Sequence, residues 1–223
     1  MAARRLEIAG IPALIAGPEE PRGVALFFHG AGGSKEKSLP HALLLHQAGI
    51  LTLHPDAPHH GERGAKDVFK EKRLIAEATL GMAGEAGALV RYLKEAYPEK
   101  PLFLVGASMG GAVVYELLAR GEKASAAAVW MSAGSPPPWL LPYMPPGYRP
   151  PLEKKAAFGE VPLLHLHGER DLMVPISLAE RTIEELKERF APGRLAFVRL
   201  AGLGHTPTPE MAALSAGWFW RWL

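Results

Sequence analysis

The 223-residue chain has no cysteine, no asparagine and a single glutamine, Gln47. Without cysteine, neither a disulfide nor a thiolate nucleophile is available. The shortage of heat-labile residues, beside 21 prolines that stiffen loops, points to a thermophilic source, with biased usage in a GC-rich genome as the alternative. An excess of one charge is also missing. The formal net charge is +2, too small to argue for nucleic acid or a membrane surface as partner. There is no basic run, no low-complexity tract and no repeat of solenoid period. No apolar stretch approaches membrane-spanning length. The start, Met1-Ala2-Ala3-Arg4-Arg5, opens like a signal peptide, but Glu7, Gly10 and Pro12 interrupt the apolar region such a peptide needs. These absences lead us to expect a soluble, cytoplasmic protein. What remains is globular composition, 48% hydrophobic and 22% charged. That length fits one domain over residues 1–223, able to bury roughly 70% of its unfolded surface.

The most informative stretch is Gly106-Ala107-Ser108-Met109-Gly110. Leu102-Phe103-Leu104-Val105 before it is a continuous apolar run that reads as a fully buried strand of a parallel sheet. Gly111 to Ala119 after it carries a helical pattern stopped by Gly121. A Gly-x-Ser-x-Gly turn between strand and helix is the pattern of a nucleophile elbow. Its glycines permit a sharp turn that lifts the Ser108 hydroxyl above the sheet, and the helix start supplies backbone N–H groups for a developing oxyanion. The bare motif also reads as an ordinary glycine-rich βα turn. The flanking strand and helix favour the nucleophile.

In this context the chain resembles the α/β-hydrolase superfamily, in particular small serine esterases related to dienelactone hydrolases and to prolyl-oligopeptidase catalytic domains. Landmarks in matching order extend over nearly its whole length. Val24-Ala25-Leu26-Phe27-Phe28 ends in His29-Gly30-Ala31-Gly32-Gly33, where the resemblance implies a second oxyanion donor. The donors would then be the N–H groups of Ala31 and Met109. A flexible turn or a phosphate loop is the other reading, but no Gly-Lys-Ser/Thr follows and the Rossmann glycine spacing is absent. Leu163 to His167 leads into Gly168-Glu169-Arg170-Asp171, where the superfamily carries its acid. Gly204-His205 after Leu195 to Leu200 resembles the catalytic histidine loop. The implied triad is Ser108, Asp171 and His205, in the chain order Ser…Asp…His of this fold.

The resemblance implies an α/β fold: a mostly parallel central sheet of about eight strands, helices on both faces and a small proline-rich lid. The lid is expected at 132–160, where Pro136-Pro137-Pro138, Pro145-Pro146 and Pro150-Pro151 exclude a regular helical cap. Trp139 and Tyr143, with Met144 and Tyr148, add bulk there. We expect Trp139, Tyr143 and His29 to meet substrate and the lid to favour short acyl chains, although 132–160 also reads as a structural excursion. His54, Asp56, His59 and His60 invite a metal reading. Their spacing matches no zinc signature, so loop stabilisation or substrate contact is the default. A helical pattern runs from Lys66 to Tyr97, with a break expected around Gly81 to Gly87.

The implied activity is cofactor-free hydrolysis of a small-molecule ester through an acyl-enzyme. Thioesterase, lactonase or peptidase activity on the same triad, or a non-catalytic ligand-binding fold, stays open. Ser108, not a carboxylate, stands at the nucleophile position, which excludes haloalkane dehalogenation.

Overall fold

Five strands of this chain are buried at every position, which is the pattern of a sheet covered on both faces. The computed structural model describes residues 3–64 and 67–223. In chain order the first elements are β1 (Arg4–Ile8), β2 (Ile11–Ala16), β3 (Gly23–Phe28), α1 (Lys35–Ser38), α2 (Leu43–Gln47) and β4 (Ile50–Pro55). The middle holds α3 (Arg73–Ala96), β5 (Leu102–Ala107), α4 (Met109–Ala119) and β6 (Ala126–Trp130). Last come β7 (Leu163–Gly168), α5 (Ile176–Leu186), β8 (Leu195–Leu200) and α6 (Pro209–Phe219). The strands form one eight-stranded sheet in the order β1-β2-β4-β3-β5-β6-β7-β8. β1 and β2 pair antiparallel, β2 meets β4 antiparallel, and the strands from β4 through β3 to β8 run parallel.

Alternation along each strand splits the core in two. Leu26, Phe28, Leu104, Val129 and Leu163 face the side that α3 and α4 cover. Ala25, Phe27, Val105, Trp130 and Leu166 face α2 and α6. On that second side Phe103 stacks on Phe219 at 4.4 Å, and the buried indole of Trp130 donates to Ser215 Oγ at 2.9 Å. Burying side chains of this size stabilises the fold by roughly 1.5–3 kcal/mol each. Strand order reverses at β3: β4 lies on one side of it and β5 on the other. The carboxyl ends of strands at such a reversal diverge and leave a crevice, where open α/β sheets bind ligands.

The break expected around Gly81 to Gly87 is absent. α3 is one helix of 24 residues. Three glycines cost about 1 kcal/mol each in a helix. A continuous buried stripe from Leu74 and Ile75 through Met82, Ala86 and Leu89 to Leu93 outweighs that. Gly81 has a packing reason, since a Cβ there would stand 3.0 Å from Pro58. The expected helix start at Lys66 lies outside the described residues, as do Met1 and Ala2 of the N-terminal stretch. Among the described residues no helix is long and apolar enough to cross a membrane.

Candidate active site

Ser108 sits between β5 and α4 with φ 53° and ψ −114°, a backbone conformation that a non-glycine residue adopts only under constraint. The constraint comes from both sides. Ser108 N–H donates to Trp130 O at 2.8 Å, and its carbonyl accepts from Ala112 N–H at 3.1 Å. The flanking glycines are required by contact. A Cβ on Gly106 would lie 2.1 Å from Gly110 O, and one on Gly110 would lie 2.1 Å from Phe28 O. The turn is thus pressed against the end of β3, and the hydroxyl is directed out of it.

The acid arrives from the β7–α5 turn and the histidine from the β8–α6 loop. His205 Nε2 lies 2.7 Å from Ser108 Oγ, and its Nδ1 lies 2.7 Å from Asp171 Oδ2. An ionised carboxylate only accepts, so His205 Nδ1–H donates to Asp171 while Nε2 accepts from the serine hydroxyl. Asp171 is buried, and its Oδ1 accepts from Met173 N–H and Val174 N–H at 2.9 Å each. Gly168 lets the two loops touch, because a Cβ there would lie 2.4 Å from Leu203 O. Such a chain can take the proton from a hydroxyl as its oxygen attacks.

Ala31 and Met109 both line the cavity beside Ser108. Met109 opens α4, where its N–H has no intrahelical acceptor. The loop carrying Ala31 is held in place by His29. Gly30 O accepts from Gly33 N–H at 3.0 Å and from His29 Nδ1–H at 2.8 Å, and His29 Nε2 accepts from Ala57 N–H at 3.1 Å. Burial pushes His29 down to about 4 against the opposing pull of Gly30 O, with His60 and Lys35 lowering it further. Both ring nitrogens of this neutral imidazole are committed to backbone, so His29 braces the loop and offers substrate no free hydrogen-bonding atom.

The cavity over Ser108 and His205 measures about 360 Å³, the small end of ligand pockets. Trp139, Leu140, Met144 and Tyr148 from the proline-rich stretch contribute to its wall. Trp139 Nε1–H donates to Met173 O at 2.7 Å. Tyr143 is exposed and lies outside the cavity lining, because it ends a short 3-10 turn, Leu141–Tyr143, that faces outward. Two contributors are invisible in the sequence. Phe69 packs on the Ala31 loop, close enough that a Cβ on Gly32 would stand 2.7 Å from its ring. Glu116 of α4 is 1% exposed and takes Tyr148 O–H at 2.7 Å and Lys154 Nζ at 3.1 Å, fastening the wall to the helix behind Ser108.

The histidine-rich loop does not converge on one point. His54 bonds Ser38 Oγ and Thr52 Oγ1, and Asp56 takes the buried Lys35 ammonium at 2.6 Å. His59 bonds Glu77, and His60 Nδ1–H donates to Pro58 O. Burial works against the Lys35 charge, but Asp56, Glu62 and Glu36 together hold its pKa above the usual lysine range. These four residues therefore fix the loop after β4.

The parallel sheet, its reversal at β3 and the serine turn at its carboxyl edge define an α/β hydrolase. The family profile for serine aminopeptidase, S33, matches residues 19–149, and the chain belongs to that family. It is similar to esterase YjfP of Escherichia coli (strain K12), 26% identical over 92% of each chain. A putative esterase of Bacillus subtilis (strain 168), YitV, is 27% identical over 97% of each. Among solved structures, TT1662 from Thermus thermophilus superposes with a TM-score of 0.87 at 34% identity, covering 99% of this chain and 97% of that one.

Proposed function

We propose that the protein is a serine esterase that cleaves small carboxylic esters through an acyl-enzyme. The observation that carries this reading is the 2.7 Å contact between His205 Nε2 and Ser108 Oγ, with Asp171 fixing the opposite nitrogen. A serine hydroxyl is a weak nucleophile at neutral pH, so His205 accepts its proton as Oγ attacks the ester carbonyl. Asp171 holds the productive tautomer and stabilises the imidazolium. The N–H groups of Ala31 and Met109 receive the oxyanion, each worth about 3–4 kcal/mol where such donors have been removed. His205 then returns the proton to the leaving alcohol, and a water activated by the same imidazole cleaves the acyl-enzyme.

Residues 132–160 serve in this reading as a pocket wall within a single domain, with Trp139 against the substrate's acyl part. The two relatives that align along nearly the whole chain bear the name esterase, which favours esters over the peptides in the family's description. The test is Ser108→Ala assayed on p-nitrophenyl acetate and on an aminoacyl anilide. Loss of at least a thousandfold in kcat on the ester, with the melting temperature within a few degrees, is expected. Retention of a tenth of the wild-type rate would remove Ser108 as nucleophile. Faster turnover of the anilide would make the protein a peptidase.

A further inference from the structure

A row of buried polar side chains behind the site takes no part in the chemistry just described. Tyr115 lies on α4, seven residues beyond Ser108, and is fully buried. Its hydroxyl is 2.6 Å from His165 Nδ1. His165 Nε2 is 3.1 Å from His167 Nδ1, and the two rings stack at 5.4 Å. His167 Nε2 is 2.9 Å from Val174 O and 3.4 Å from Asp171 Oδ2. We propose that Tyr115, His165 and His167 form a one-directional hydrogen-bond chain that positions Asp171 for His205. The inference rests on the esterase reading of Ser108, His205 and Asp171.

The direction follows from the last link. Val174 O and Asp171 Oδ2 can only accept, so His167 Nε2 carries the hydrogen. A neutral His167 then has a bare Nδ1, which must accept from His165 Nε2–H. His165 in turn has a bare Nδ1, which accepts from the Tyr115 hydroxyl. Each atom has one role, and the opposite direction would set a bare His167 Nε2 against two oxygens. All three groups are held in the required neutral forms. Burial lowers His165 well below the usual histidine range, with His167 adding to it. Burial also lowers His167, over the opposing pull of Val174 O and Asp171. Burial raises Tyr115 above the usual tyrosine range.

The chain ends on the backbone that holds the acid. The N–H groups of Met173 and Val174 point into Asp171 Oδ1. Met173 O is held by Trp139, and Val174 O by His167. The turn therefore hangs from the pocket wall on one side and from the helix behind the nucleophile on the other. A shift of Val174 would rotate the carboxylate away from His205 Nδ1, and misplacement of this order costs rate in the chemical step.

The experiment is a double-mutant cycle on p-nitrophenyl acetate. His167→Phe keeps the ring stack and removes both nitrogens. It is expected to lower kcat about tenfold with KM within twofold, and His167→Gln, whose amide can still donate to Val174 O, to recover most of that loss. On an Asp171→Asn background the same change is expected to cost less than twofold, because the group it positions no longer functions. A tenfold loss in both backgrounds, or a loss that appears in KM, overturns the proposal. Should His167→Phe fail to fold, Tyr115→Phe runs the same cycle from the far end. About a threefold loss in kcat, cancelled by Asp171→Asn, is then expected, and an unchanged kcat overturns it. Full activity in Ser108→Ala or Asp171→Asn alone would instead sink the esterase reading. With both of those impaired, an additive cycle removes only the positioning chain.

Discussion

Acidification below about pH 6.5 is expected to destabilise this protein, because the fold buries histidines that must stay neutral. His29, His46, His54, His60, His165 and His167 are all buried, and burial lowers each of them. His54 shows why. His46 Nε2–H donates to Thr52 Oγ1, whose hydroxyl donates to His54 Nε2. His54 Nδ1–H donates to Ser38 Oγ, and Ser38 O–H donates to Lys35 O. A proton added at His54 Nε2 would meet the Thr52 hydroxyl and turn its hydrogen toward Ala16 O, 3.4 Å away. Burial pushes His54 down to about 3, with His46, His29 and His41 adding to it, and pushes His29 to about 4. Folded values below the unfolded value of about 6.5 mean stability that is complete above pH 6.5 and is lost as pH falls toward the folded values. At pH 5 the unfolded histidines are protonated and these two folded ones are not. One and a half units at about 1.4 kcal/mol per unit gives about 2 kcal/mol for each. About 4 kcal/mol from two residues is a large part of the 5–15 kcal/mol typical of a domain, and His165 acts in the same direction. Urea unfolding followed by circular dichroism at pH 7.5, 6 and 5 measures this. The unfolding free energy should fall by about 2 kcal/mol or more between pH 6 and 5, as two histidines protonate in the unfolded chain and not in the folded one, and His54→Gln should remove about half of that. A fall below about 1.4 kcal/mol over that unit would refute the reasoning.

Three further expectations concern the site and its supports. Gly110→Ala places a Cβ 2.1 Å from Phe28 O, which moves the start of α4. The kcat on short esters should drop by roughly a hundredfold or more, and a loss under threefold in stopped-assay kinetics would contradict the close approach. Trp139→Ala opens the wall of the 360 Å³ cavity. The p-nitrophenyl ester optimum should then move from C2–C6 to longer chains, and an unchanged profile of kcat/KM would show that Trp139 does not face the acyl group. Asp56→Asn strips the buried Lys35 of its nearest carboxylate, although Glu62 at 2.7 Å and Glu36 at 3.1 Å remain. Thermal and urea melts should show a loss of about 3 kcal/mol with kcat per folded molecule unchanged, whereas Asp171→Asn should do the reverse.

The order of strands and helices was legible because most strands are short apolar runs and many boundaries carry a glycine or proline. The turns at Ser108, Gly168-Glu169-Arg170-Asp171 and Gly204-His205 were legible because each is local: a few neighbouring residues set both the turn and the side chain it presents. Side-chain direction in the proline-rich wall was not. Tyr143 and Met144 are adjacent, yet Met144 faces the cavity and Tyr143 faces solvent, a choice made by a 3-10 turn with no sequence period to betray it. Nothing in the sequence marks Glu116, since its partners Tyr148 and Lys154 lie more than thirty positions away. Alternation along a strand puts His165 and His167 on one face, but their partner Tyr115 is fifty residues earlier. The glycines in α3 misled for a related reason: local propensity marks a break, and packing against the sheet overrides it.

The fastening of the wall to α4 bears on how this enzyme could diversify. The wall's roots, Leu140, Leu152 and Phe158, are sunk in the core, and Glu116 clasps Tyr148 and Lys154. Between those moorings Leu141, Pro142, Tyr143, Pro145, Pro146 and Gly147 are exposed. That span can be lengthened, shortened or exchanged while Ser108, Asp171 and His205 stay on elements that do not depend on it. Preference for one substrate over another can therefore drift, or be grafted in from a relative, on a piece of chain whose failure leaves those three side chains in place.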